Sequence, residues 1–135
     1  MMKCTWTFVA LVAALVAADA ASACGACVED KVAATYDHAV IAQAMRRHQQ
    51  VLFVGVEGPR AELAAGRLAQ VARKLRGVEA ASVRTSASPA ALSFAVAASQ
   101  NPQATVAAVR TALRDPQTQL TLIRVARDGV LVEPK

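Results

Sequence analysis

The chain reads as an α+β protein: a βαββαβ sandwich with an extra N-terminal helix and a short C-terminal hairpin strand. Three observations carry this reading. After residue 50, short apolar runs rich in β-branched residues alternate with segments of helical period. Glycine, proline, asparagine and serine punctuate the borders between them. One long segment before residue 50 carries no such break and has a single apolar stripe.

The elements follow in order. Cys27 to His48 is expected as one helix, with Glu29 and Asp30 in its first turn and Arg46, Arg47 and His48 in its last, matching the helix dipole at both ends. Val28, Val32, Tyr36, Val40 and Ala44 form its apolar stripe. Val51 to Val56 is apolar throughout, as a strand buried on both faces would be. Arg60 to Arg76 repeats apolar residues at Leu63, Leu68, Val71 and Leu75 before Gly77, so it is expected as a helix. Val78 to Thr85 is a weaker strand, and Ser86-Ala87-Ser88-Pro89 turns the chain into a strand over Ala91–Val96. Asn101-Pro102 supplies a cap followed by proline in the first helical position. That helix carries Val106, Val109 and Leu113 and ends before Pro116. Leu120 to Arg127 is a strand, and Asp128-Gly129 is a two-residue hairpin signal that pairs Val130-Leu131-Val132 back onto it. Right-handed crossovers in this order put the first and third strands in the centre and two helices on one face. The apolar stripe of the leading helix then needs the other face or an edge.

The N-terminus has the composition of an export signal. Lys3 precedes the apolar run Phe8–Ala18, and Ala21-Ser22-Ala23 offers the small residues a signal peptidase reads. The run is shorter than the roughly 20 residues a membrane span needs, so no stable span is expected once residues 1–23 are removed. The remaining organisation is a cysteine-bearing helical segment, 24–50, and a domain over 51–135, in a protein expected to be periplasmic or secreted. The formal net charge of +5 survives cleavage, because Lys3 and Asp19 leave together. Basic residues such as Arg46, Arg47, Arg73, Lys74, Arg76, Arg110, Arg114, Arg124 and Arg127 are scattered along the chain. That spacing reads as a solvated surface, and export argues against nucleic acid as a partner. The sequence has no phosphate-binding glycine loop, no Ser-His-Asp order and no paired carboxylates on one helical face, so an enzyme is not expected.

Residues 51–126 resemble the heavy-metal-associated domain, the ferredoxin-like module of copper chaperones and periplasmic mercury-binding proteins. Gly77-Val78 followed by Ser82-Val83, the Leu92-Ser93-Phe94 strand, the Val106–Leu113 helix and the Leu120–Val125 strand carry the likeness. The family's metal-binding Met-x-Cys-x-x-Cys belongs in the loop after the first strand. Here that loop is Val56-Glu57-Gly58-Pro59-Arg60-Ala61, which has no sulfur. The resemblance implies the ferredoxin-like fold, and it implies metal binding only if cysteines from elsewhere substitute.

Cys24 and Cys27, in Cys24-Gly25-Ala26-Cys27, are the candidates. Two thiolates at this spacing suit a soft or borderline ion, with Cu(I) favoured over Zn(II) or Hg(II), because zinc prefers about four ligands. A helix N-terminus acidifies a thiol, which points to Cys27 as the easier to ionise. His38 lies roughly 16 Å further along a straight helix, out of reach, so zinc would draw on Glu29, Asp30, water or a second chain. The same pair can cycle as a dithiol and disulfide, although no strand precedes it as in thioredoxin. It can also close a static disulfide, or Cys24 can carry a lipid. Two further constellations have plainer readings: Met45 and His48, spaced to share a copper ion, read as a core methionine beside a surface histidine, and Tyr36-Asp37-His38, a possible acid–base group, reads as part of an amphipathic helix. The functional reading is a soft-metal-binding or metal-transfer protein with a metal-donor or acceptor protein as partner. The alternatives are thiol–disulfide exchange and an interaction module with a structural disulfide.

Overall fold

The structure, a computed structural model, describes residues 23–135, with side chains from Val28 onward. The expected signal segment therefore lies outside the described residues, apart from Ala23. The elements run α1 (Ala23–Thr35), α2 (His38–Arg46), β1 (Gln49–Glu57), α3 (Ala61–Lys74), β2 (Val78–Ala87), β3 (Ala90–Ala97), α4 (Pro102–Leu113), β4 (Gln119–Arg127) and β5 (Val130–Val132). All strand pairings are antiparallel, and the five strands are ordered β2-β3-β1-β4-β5. The architecture is a mixed, α+β one.

Alternation along the central strands builds two cores. Leu52, Val54 and Val56 of β1, with Leu92, Phe94 and Val96 of β3, face α3 and α4. Val51 and Phe53 of β1 and Ala95 of β3 face α1 and α2. This is why β1 is apolar at nearly every position: both faces are covered. On β3 the large side chains point one way, while Ser93 and Ala95 point the other. Small residues there let the α1–α2 layer approach closely. Gly55 of β1 does the same, since a Cβ would sit 3.4 Å from Cδ of Lys31, whose stem lies across it.

The leading segment is not one helix. Asp37 has extended backbone (φ −134°, ψ 114°) and caps α2, its Oδ1 accepting from Ala39 N at 2.8 Å and Val40 N at 3.3 Å. A short acceptor side chain of this kind competes with the helix ladder, so Asp37 starts a new helix rather than continuing the old one. Its Oδ2 accepts from Arg84 Nε of β2 at 2.9 Å. The break turns the chain over the sheet, where the Tyr36 ring stacks on Phe53 with centroids 6.1 Å apart. The apolar stripe survives: Val32, Val40, Ile41 and Ala44 are buried, with Val28 and Tyr36 packed beside them.

The Arg84 guanidinium foremost, then the Ala39 and Val40 amides, hold the Asp37 carboxyl below its ordinary value. A pKa lower in the folded than in the unfolded chain means stabilisation that is complete above the unfolded value and lost as pH falls through the folded one. Asp115 behaves alike, held down by the Thr118 hydroxyl and the Gln117 amide. Melting temperature is therefore expected to fall with acidification below about pH 4. Asp37→Asn keeps a good cap but loses the pairing with Arg84, so it should start lower at neutral pH and fall less in acid. Parallel pH profiles for the two proteins would refute the assignment.

Buried polar groups join the layers. Gln50 is fully buried; its Nε2 donates to the carbonyls of Ala97 (3.3 Å) and Gln100 (2.7 Å), and its Oε1 accepts from Arg127 Nε at 3.1 Å. Ser93 Oγ donates to the Thr35 carbonyl at 3.0 Å, fixing the end of α1 to β3. Where β2 leaves register between Glu79 and Arg84, the Ser82 hydroxyl accepts from Ala95 N at 2.7 Å in place of a strand carbonyl. At the opposite edge, Asp128 (φ 51°) and Gly129 (φ 78°) make the expected tight hairpin, and β5 is the outermost strand.

Candidate functional site

Cys24 and Cys27 both lie in α1, three residues apart, so the helix places them on the same side. Their side chains are outside the described residues. As described, α1 spans Ala23–Thr35, so both cysteines fall within it, although the helix was expected to start at Cys27.

From Val28 onward α1 is fastened down. Val28 and Val32 pack on the sheet, Arg124 Nη2 of β4 pairs with Glu29 Oε1 at 3.0 Å, and Lys31 Nζ pairs with Glu57 Oε1 at 3.5 Å. Arg124 also approaches Glu133 Oε1 at 3.9 Å, bringing the C-terminal segment to the same place. The helix thus runs from the β4 side, where its cysteine-bearing start lies, to β3, where Ser93 holds Thr35. None of this clasp was legible beforehand, since Arg124 lies 95 residues from Glu29.

The ligands expected to assist zinc are placed elsewhere. Glu29 is engaged by Arg124, while Asp30 is exposed. The straight-helix distance to His38 no longer applies, because α1 ends at Thr35; the His38 ring instead stands edge-on to Tyr36, with centroids 4.9 Å apart. Asp37 is committed to its cap and to Arg84, which removes Tyr36-Asp37-His38 as an acid–base group. Met45 and His48 do not share a helical face either: α2 ends at Arg46, and His48 has φ 54°. Met45 lies against Gly129, where a Cβ would come within 2.8 Å of its Sδ. No group of three or more His, Cys, Asp or Glu able to hold a metal ion occurs among the described residues. Phe53 and Phe94 are both buried, on opposite faces of the sheet.

The loop between β1 and α3, where the heavy-metal-associated family keeps its cysteines, faces the β2–β3 turn across a shallow hollow. The charged residues lining that hollow are Arg60 and Glu62, a pair with no affinity for soft ions. No helix among the described residues is long and apolar enough to cross a membrane. Neither a protein-family model, nor a curated protein, nor a solved structure matches the chain.

Proposed function

We propose that the protein binds a soft metal ion through Cys24 and Cys27, Cu(I) in preference to Zn(II) or Hg(II), and passes it to a partner protein. The observation that carries this is that both cysteines lie one turn apart on a single helix, α1, whose remainder is fastened to the sheet. Two sulfurs on one helical turn can close on one ion, and Cu(I) is content with two thiolates. If residues 1–23 are removed as a signal, Cys24 becomes the first residue, and a site there suits exchange, because an incoming protein can reach it without opening the core.

We further infer that residues 51–126 are a ferredoxin-like domain related to the heavy-metal-associated modules. The order β2-β3-β1-β4, with α3 and α4 on one face, supports this. In this reading the ligands have moved from the β1–α3 loop to an added helix on the opposite face. The reading also takes residues 1–23 as an export signal and the protein as periplasmic or secreted, with no catalytic activity.

The test is titration of the reduced protein with Cu(I) and, separately, with zinc, beside a Cys24→Ser/Cys27→Ser variant. One equivalent of Cu(I) should bind the parent and none the variant, with zinc much weaker. Equal Cu(I) uptake by both proteins would rule the site out. If the pair instead proves to be oxidised as isolated and readily reduced, thiol–disulfide exchange takes the place of metal transfer.

A further inference from the structure

The basic residues that look scattered along the sequence are gathered by the fold. α3 and its flanks carry Arg60, Arg67, Arg73, Lys74 and Arg76; α4 and its cap carry Arg110 and Arg114. All seven are exposed, and only Glu62 and Asp115 oppose them on this layer. The whole chain has fifteen basic and ten acidic residues, so the layer holds seven against two and everything else balances at eight against eight. The entire net charge of +5 thus resides on one face.

Pairing shows the same asymmetry. Lys31, Arg47, Arg84 and Arg124, outside this layer, each form an ion pair. Among the described residues, none of the seven cations on the α3–α4 layer does. Arg60, Arg67 and Lys74 recur every seven residues and therefore line one stripe of the helix. Arg110 lies in the last turn of α4 and Arg114 caps it in the left-handed conformation (φ 56°), so both bring positive charge to one end of the helix. Amid these charges Leu63 stands 77 % exposed, one turn from both Arg60 and Arg67.

We infer that the α3–α4 layer is a docking face for an anionic lipid bilayer. A broad cationic face with one projecting aliphatic side chain fits a headgroup layer, which offers diffuse negative charge and an apolar boundary just beneath it. A specific protein interface would want a larger apolar or aromatic centre, and α3 and α4 contain no aromatic residue. The same lack argues against single-stranded nucleic acid, which stacks its bases on aromatic rings. The inference is independent of the cysteine reading.

The test uses the full chain with vesicles of phosphatidylglycerol and phosphatidylcholine in equal parts, and with vesicles of phosphatidylcholine alone, which report insertion of the apolar N-terminal run. Binding is expected to the mixed vesicles at low salt and to fall at least tenfold at about 0.5 M salt. Arg60→Gln/Arg73→Gln/Lys74→Gln/Arg110→Gln should weaken it by roughly a hundredfold or more, and Arg46→Gln/Lys135→Gln by much less. Arg67 is left in place because it donates to the Leu113 carbonyl. The single variant Leu63→Asn should weaken binding severalfold without altering its salt dependence. Equal binding to both vesicle types, equal loss in the two charge variants, or binding to duplex DNA or poly-glutamate but not to mixed vesicles would each overturn the inference.

Discussion

Phe53→Ala is expected to lower the unfolding free energy by about 3–5 kcal/mol. Phe53 is 1 % exposed, and among the described residues it is the only phenylalanine in the core beneath α1 and α2. Its neighbours there are largely alanine, valine and isoleucine, too short to refill the space without moving a helix. It also carries the stacked Tyr36 ring at the point where α1 gives way to α2. Domains of this size are stable by only some 5–15 kcal/mol, so the loss is severe. Phe94→Ala on the opposite face should cost a similar amount, yet the two should differ in hydrogen exchange. The Phe53 variant is expected to lose protection first in the amides of α2, because that layer can lift while β1 and β3 stay paired. Urea unfolding followed by circular dichroism gives the first quantity. A cost below about 1 kcal/mol would mean that α1 and α2 do not pack on Phe53 as described.

Gln50→Met is expected to cost about 2 kcal/mol, and Gln50→Ala about 3–4 kcal/mol once the cavity is added. Methionine keeps the volume but can neither donate to the Ala97 and Gln100 carbonyls nor accept from Arg127. These bonds join β1 to the end of β3, the turn into α4 and the end of β4, so their loss acts on all of them at once. A Gln50→Met protein with parental stability would show that water serves these groups equally well.

The strands and the two helices of the 51–127 stretch were legible because their signals are local: an apolar run, a cap and proline at Asn101-Pro102, a hairpin at Asp128-Gly129. Asn101 does cap α4, its Oδ1 accepting from Ala104 N at 2.9 Å. The break at Asp37 was legible in principle, since aspartate two residues after Thr35 is a good N-cap, but the stripe from Val28 to Ala44 continues through it and masks it. A stripe reports which side is buried, and it is silent on whether one helix or two carry it. Gln50 was hidden for another reason. In sequence it looks like a polar flank of an apolar run, and its partners lie 47 to 77 residues away. The charge of the α3–α4 layer escaped notice because it arises only when two segments some forty residues apart are laid side by side. Of the candidate metal site, the cysteine pair was readable from its spacing and a helix beside it from the apolar stripe, while the Arg124 clasp that fastens that helix was not.

The outermost strand has its own consequence. Val130, Leu131 and Val132 are 60 %, 41 % and 36 % exposed, and with Met45 they make up four of the five large hydrophobic side chains that reach solvent among the described residues. Among the described residues no strand pairs with the far side of β5, beside this greasy margin, and the strand has no lysine or proline inside it to repel a stray chain. Colloidal failure of a concentrated solution is expected to start at this rim, by strands adding edge to edge while the rest of each molecule is still intact.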